Sequence, residues 1–417
     1  MDVLANNPLL QPVYVNKVVE SIIPDTADYA LTQEIPMTTQ ETEFVVVDVR
    51  KMMGGMTMAV AEGAESPIID QRGMNQYAFQ PAHFREKILL TEKDTKVIRK
   101  LGTASDLERA QATMARMIGD LRMRLETRIE WCKWQMMMGS LSVSQPDVSF
   151  TIDYHIPTHF KPTLTGADLW SAGTGTPLDD ILDWLDLFRD EGTIPKDFMY
   201  NAGIEKVLLK NTQIRTIRDS MFVGQPNLGN VTRDNIQAVF NAYGALPINV
   251  YDKGYFHVQG TTSVITNVSV TFTVDENPGY QIGDIVTLVH KNGEHTGRVR
   301  ITLTGVSGTT LTHAAIGGTV TYPVGSEIRL KKQFIDNDKF IIRGQLPAGT
   351  MGGTQWAEFV STPHVYGPGG LMAPTPGIFM KTIVKDDDDP PRAMIISGVS
   401  GLPVAYYTTV NVIATVL

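Results

Sequence analysis

The stretch "ASDLERAQATMARMIGDLRMRLETRIEWCKWQMMMG", Ala104 to Gly139, limits what this chain can fold into more than any other. Leu107, Met114, Ile118, Leu121, Leu125, Ile129 and Cys132 recur at spacings of seven, four, three, four, four and three. That is one apolar stripe with the period of an α-helix. Thr103 or Ser105 suits its start and Gly139 its stop. A helix over about 104–138 would reach roughly 50 Å at 1.5 Å per residue. Compact domains average about three turns, so this helix needs an elongated sheet or plate to cross from edge to edge. Arg109, Arg116, Arg122, Arg124 and Arg128 are interleaved with Glu108, Asp120, Glu126 and Glu130. Mixed signs point to ion pairs with neighbours, not to a stripe that grips nucleic acid.

Before the helix, residues 1–42 carry little pattern. A short helix fits Val13–Ile22, and "PDTADYALTQEIPM" reads as an extended arm that needs another surface to lie on. No signal peptide is expected from "MDVLANNPLLQPVYVNK", which lacks a basic start followed by a long apolar run. "EFVVVDVR" alternates as a strand, with Val45, Val47 and Val49 on one side. "NQYAFQPAHFREKILLT" is a second extended segment. Glycines and Pro67 break the stretch between them, which holds Met52, Met53, Met56 and Met58. Two arms around a Met-rich tip make a long hairpin loop. The methionines suit either core filling or an adaptable contact surface.

After the helix, "VSFTIDYHIPTHF" reads as strands and "TPLDDILDWLDLFRDEG" as a helix with Ile181, Trp184, Leu185 and Phe188 on one face. Strand "DFMYNA", helices "GIEKVLLKN" and "DNIQAVFNAYG" and strand "LPINVYDKGYF" follow. The pattern changes near 258. Val268, Val270, Phe272 and Val274 alternate, Asn292-Gly293 marks a hairpin turn, and Val299, Ile301 and Leu303 alternate again. This predicts an inserted all-β module of about 70 residues. Beyond it, "FIDNDKFIIRGQLP" and a β-rich tail resume the mixed α/β lobe that the module interrupts.

Chemistry is sparse. The chain has 36 Lys and Arg against 45 Asp and Glu, a net −9. That disfavours binding DNA by counterion release. Neither a P-loop, a GxSxG elbow nor HExxH occurs. His290, Glu294 and His295 read better as polar turn residues than as metal ligands, and "KDDDDPPRA" as a solvated loop stopped by Pro390 and Pro391. Cys132, the single cysteine, reads as a small apolar residue of the helix. No catalytic, metal or cofactor site is expected. The weight shifts toward a protein whose function is its shape.

The order of arm, long hairpin, long helix, α/β lobe with an insertion and β-rich return resembles tailed-phage major capsid proteins of the lambda-type capsid protein E family. The residues that carry the resemblance are "YAFQPAHFREKILLTEKDTKVIRKLG", "RMRLETRIEWCKWQMMMG", "FTIDYHIP", "INVYDKGYF" and "KDDDDPPRAMIISGVSGLPV". It covers about 43–257 and 333–417. It implies an α+β, Hong Kong ninety-seven-like fold: an N-terminal arm at 1–42, an extended loop at 43–92 and a peripheral domain at 93–176. The axial domain would be 177–257 and 333–360, interrupted by a β-barrel or sandwich at 258–332, with a return to the peripheral domain at 361–417. It implies no enzymatic activity. Pentamers and hexamers would build the icosahedral head shell of a tailed double-stranded DNA phage, assembled in the host cytoplasm and carried in the virion. Partners implied are a separate scaffolding protein, a portal protein, a decoration protein and packaged DNA held without sequence-specific contact, with no membrane. Intersubunit contacts would fall on Lys51, Met52, Met53, Met56, Met58, Arg72, Tyr77, Phe79, Arg85, Arg122 and Arg124. An encapsulin-like compartment shell is the alternative, and an enzyme with a β-domain insertion the lesser one.

Overall fold

The computed structural model describes residues 26–50, 74–90, 104–145, 148–221, 232–243, 246–317, 319–347, 355–364, 376–385 and 392–417. The long helix is present: α1 spans Ala104–Met137, 34 residues, about 50 Å at 1.5 Å per residue. Its stripe, from Met114 and Ile118 through Leu121, Leu125, Ile129 and Cys132, is buried. Gly139 follows at φ +96, and a side chain there would be strained and would press on Lys161. A left-handed glycine just past the last turn is a common helix stop.

The final two turns depart from the one-stripe expectation. Ile129, Glu130, Cys132, Lys133, Trp134, Met136 and Met137 are all buried, so the helix end is enclosed on more than one side. The hairpin of Ser140–Gln145 and Val148–Asp153 covers it. So does the 26–36 segment, which is not the expected extended arm. It turns back on itself, Ile35 N–H donating to Leu31 C=O at 2.8 Å, and sinks Tyr29, Leu31 and Ile35 into the core of Trp134. Three apolar side chains at these positions find a surface within their own chain.

A five-stranded sheet is built on the strand Arg392–Ala405. That strand pairs antiparallel with Ala82–Leu90, Phe379–Lys385 and Ala357–Ser361, and the last takes Met37–Thr39 in parallel. Helix α1 crosses it at Arg392–Ala405 and Ala82–Leu90. Strands Val45–Arg50 and Met74–Phe79 form the base of the expected hairpin, Val45 opposite Phe79 and Arg50 opposite Met74. Val45 and Val47 pack on Val360 and Val404, while Val46 faces outward. The pairing of the second arm ends at Phe79. It breaks at Gln80-Pro81, and Ala82–Leu90 joins the sheet. Val13–Ile22, the hairpin tip and the aspartate run lie outside the described residues.

A four-stranded sheet follows in the order Asn411–Thr415, Lys339–Gln345, Ile194–Tyr200, Ile248–Val250. Alternation along its strands joins two cores. Phe198, Tyr200, Phe340 and Ile342 face a core shared with four helices, whereas Met199, Ile341 and Ile413 face the core of α1. The helices are α2 (Pro177–Glu191), α3 (Ala202–Leu208), α4 (Thr212–Met221) and α5 (Arg233–Tyr243). Helix α2 buries Ile181, Trp184, Leu185 and Phe188 as expected. Helix α4 is additional to the expected set, although Ile214, Ile217 and Arg218 stand at helical spacing. "HIPTHF" is not a strand. Pairing ends at Asp153, His155 takes φ 52, and only a short 3-10 turn, Thr158–Phe160, follows.

The segment 254–333 forms an all-antiparallel sheet of six strands, in the order Thr271–Thr273, Thr310–His313, Arg298–Ser307, Ile285–Val289, Glu327–Gln333, Gly254–Gly260. A bridge between Thr261 and Val274 joins its two edges, and Thr262 N–H donates to Thr273 C=O at 2.9 Å, closing a barrel. Phe272, Leu288, Ile301, Leu303, Tyr322 and Leu330 fill it. One expectation fails here. Val268 and Val270 do not share the inward face of Phe272 and Val274; they are 74% and 50% exposed, because regular pairing covers only Thr271–Thr273. Asn292-Gly293 does lie in the connection of a hairpin, in the loop 290–297 between Ile285–Val289 and Arg298–Ser307, with Gly293 at φ +97.

The barrel's two chain connections are held together. Gly254 pairs with Gln333. The Phe334 ring lies 4.9 Å from that of Tyr255, 5.9 Å from Tyr29 and 6.3 Å from Tyr251. Asn201 caps α3 by accepting from Gly203 and Ile204 N–H, and its amide donates to Ile335 C=O at 3.1 Å and Asn337 Oδ1 at 2.8 Å.

Candidate intersubunit surfaces

The sequence singled out α1 and the hairpin, and the structure adds a third body against them. Between the barrel, α1 and strand Ala82–Leu90 lies a cleft of about 800 Å³. A chain of alternating charge crosses it. Arg298 and Arg329 both pair with Glu294, Arg329 also with Glu327 at 3.0 Å, and Glu327 stands 3.6 Å from Arg124. Arg124 in turn reaches Glu86 at 2.6 Å. Burial disfavours the charged Arg124 guanidinium, but Glu86 and Glu327 outweigh it and raise its pKa. Arg329 hydrogen-bonds Glu294 and holds that carboxyl below its usual range. The side chains of these pairs are between about a quarter and half exposed, and each pair contributes about 0–1 kcal/mol. The set fixes orientation more than it adds stability. Nearby, Arg128 stacks over Trp131 at 4.1 Å and Phe84 at 4.8 Å.

The sequence candidates are therefore scattered over distinct places. Arg124 bridges strand Ala82–Leu90 and the barrel inside its own chain. Arg122, half-buried, stands 3.7 Å from Glu126 one turn on. Arg85 is exposed beside Glu86 on the strand. Tyr77, on the hairpin base, packs its ring 4.9 Å from His155 and 6.2 Å from Phe79, and Phe79 lies 6.4 Å from Tyr154. Lys51, Met52, Met53, Met56, Met58 and Arg72 lie outside the described residues. The carboxylate partners Glu86 and Glu327 were not singled out in the sequence. An ion pair between residues so far apart along the chain leaves no local signal.

Among the described residues, no cluster of His, Cys, Asp and Glu could hold a metal. Glu294 is engaged by arginines, and the His290 ring lies 6.2 Å from that of Tyr322. Cys132 is fully buried, which pushes its thiol up to about 11, far from a reactive thiolate. Among the described residues no helix is long and apolar enough to cross a membrane. What the arrangement offers is a braced plate, with the base of a hairpin packed on its sheet and a barrel beside its long helix.

A search of curated protein sequences finds no match. Among solved structures, the chain is similar to a putative prophage capsid protein of Escherichia coli, at 13% identity and TM-score 0.48, covering 98% of this chain and 99% of that one. A phage-related protein of Bordetella bronchiseptica is similar at 7% identity and TM-score 0.45, covering 97% and 96%. The SrpI encapsulin of Synechococcus elongatus is similar at 11% identity and TM-score 0.37, covering 93% and 86%. The sequence profile described as "Phage major capsid protein E" matches residues 19–282, well over half of the chain, and the protein belongs to that phage major capsid protein family.

Proposed function

We propose that this chain forms the head shell of a tailed double-stranded DNA phage by repeating in rings of five and six, and that its role is structural, without catalysis. Family membership carries this reading, and the long braced helix fits it. A thin wall must be stiff across each subunit, and α1, about 50 Å long, crosses the five-stranded sheet at Arg392–Ala405 and Ala82–Leu90. In this proposal the five-stranded sheet with α1 is the peripheral plate. The four-stranded sheet with α2 to α5 is the axial lobe at the five- and six-fold axes. The barrel stands on the outer surface, since packaged DNA crowds the interior. Assembly takes place in the host cytoplasm with a separate scaffolding protein, around a portal. DNA is enclosed without sequence-specific contact, in keeping with a chain of net charge −9.

Light scattering of the purified protein, alone and with the phage's scaffolding protein, tests the reading. The expected result is particles of hundreds of subunits. A single 46.0 kDa species under both conditions would contradict it.

A further inference from the structure

The cleft between the barrel, α1 and strand Ala82–Leu90 is walled by strand backbone on two sides. Consecutive residues line it, His83 to Glu86 on one wall and Gly254 to Val258 on the other, so both strands turn an edge toward it. Among the described residues, Ala82–Leu90 ladders only with Arg392–Ala405, and Gly254–Gly260 only with Glu327–Gln333. A strand edge without a neighbouring strand is a template for an added one. Phe84 and Glu86 share the side of their strand that faces α1, where Phe84 meets Arg128 and Glu86 meets Arg124. A strand laid along the second edge of Ala82–Leu90 would stand about 4.8 Å away and send alternate side chains to that same side.

On that side Arg128 is paired with no carboxylate of the described residues. Its guanidinium carbon lies 4.1 Å from the centre of the Trp131 ring and 4.8 Å from that of Phe84. Aromatic rings hold a guanidinium by its faces and leave its in-plane N–H groups for an acceptor. The neighbouring acids are already engaged, Glu86 and Glu327 by Arg124, and Glu294 by Arg298 and Arg329. Asp120, the other acid of the lining, lies about 12 Å back along α1. From the barrel wall, Phe256 presents a ring that is 61% exposed. We propose that the cleft binds an extended acidic segment of a partner protein, added along Ala82–Leu90 as a further strand of the five-stranded sheet. One Asp or Glu side chain of that segment meets Arg128, and an apolar neighbour covers Phe256. The site lies within one chain and so stands independently of the shell reading above.

Selection from a displayed library of random dodecapeptides, against the purified full-length chain, tests the proposal. Enriched sequences are expected to carry an Asp or Glu with apolar residues close beside it. The most enriched sequence, made as a synthetic peptide, should bind R128M about tenfold more weakly than the wild type, since methionine keeps an apolar stem against the rings and removes the charge. Replacing the peptide's acid by its amide should weaken binding to the wild type by about the same factor. Bound peptide should also slow amide hydrogen exchange across 82–90, the mark of a new strand partner. No enrichment, binding that R128M leaves unchanged, or a bound peptide that leaves exchange at 82–90 as it was would each overturn the proposal. A short DNA duplex that displaces the peptide and itself needs Arg128 would assign the cleft to nucleic acid instead. Should R128M fail to fold by circular dichroism, R128K replaces it. Lysine keeps the charge without the planar set of donors, so binding should weaken about threefold, and unchanged binding would count against the proposal.

Discussion

Arg124 on α1 grips Glu86 on strand Ala82–Leu90 with two nitrogens, Nε at 2.6 Å and Nη2 at 3.0 Å, and turns a third toward Glu327 of the barrel. One side chain thus touches the helix's sheet and the inserted body together. Both partners of the main pair are nearly half exposed, 44% and 47%, so their contribution to unfolding free energy is about 0–1 kcal/mol. Arg124→Glu should leave the melting temperature of the unassembled chain within a few degrees of wild type and reduce shell formation. R124E/E86R should recover assembly. Equal loss of melting temperature and assembly, or no recovery in the double variant, would show that Arg124 has no orienting role.

A second prediction concerns Glu130, buried at the enclosed end of α1. Its Oε1 accepts from Leu31 N–H at 3.0 Å and Trp134 Nε1–H at 2.9 Å, and its Oε2 from Thr32 Oγ1 at 3.0 Å. Burial raises its pKa above the ordinary 4.5, although these hydrogen bonds and Lys133 oppose the shift. The folded state therefore holds the proton more tightly than the unfolded state. Stability from this group is full below about 4.5 and declines as pH rises through the folded pKa. Glu130→Gln keeps an acceptor for Leu31 and Trp134 and removes the titration. Its melting temperature should gain on the wild type's as pH rises from 4 to 7. A difference that stays flat with pH would refute the assignment. Glu130→Ala leaves two buried donors unpaired and should cost about 2–4 kcal/mol.

The third prediction concerns Arg343 and Asp197, which face each other across the four-stranded sheet. Arg343 Nε donates to Asp197 Oδ1 at 2.6 Å, Asn249 donates to Oδ2 at 2.6 Å, and Arg343 also reaches Glu34 of the 26–36 segment at 3.2 Å. Both members of the pair are buried. Asp197→Ala leaves the buried guanidinium with Glu34 alone and should cost about 3 kcal/mol in urea unfolding. R343M/D197L should cost far less than that single change, since removing both charges leaves neither unpaired. If the double variant is the less stable of the two, the pair itself holds the lobe together.

The fourth prediction removes the barrel. Tyr255 and Lys332 are directly paired, so an Asn-Gly turn in place of 256–331 can join them as a tight hairpin. Phe334, Tyr255 and Asn201 keep their partners in the remaining chain. The shortened protein should fold with the secondary-structure content of the rest and form shells of lower stability. Failure to fold would mean that the barrel is part of the main core.

How much of this could be read from the sequence depended on whether a signal was local. The α1 stripe, the face of α2 and the alternation of Val45 and Val47 were legible because period alone reveals them. The ending at Gly139 was legible because glycine accepts φ +96. The enclosure of Glu130 and Lys133 was not, since residues 26–36 and the hairpin after α1 close over them from elsewhere in the chain. Val268 and Val270 misled for the same reason. Alternation shows which side chains share a face, but whether that face is covered depends on strands distant in sequence. The contact surfaces were the least legible. Arg124 stood out as a charge off the stripe, while Glu86 and Glu327, which give it a role, lie on strands that only tertiary pairing brings near.

Electron cryomicroscopy of assembled particles tests the central claim most directly. The account predicts closed icosahedral shells in which this chain stands in rings of five and six. The plate of α1 and its sheet should lie in the wall, and the 254–333 barrel on the outer surface. A map with the barrel against the packaged DNA would contradict the outward placement, and particles without five- and six-fold rings of this chain would contradict the account as a whole.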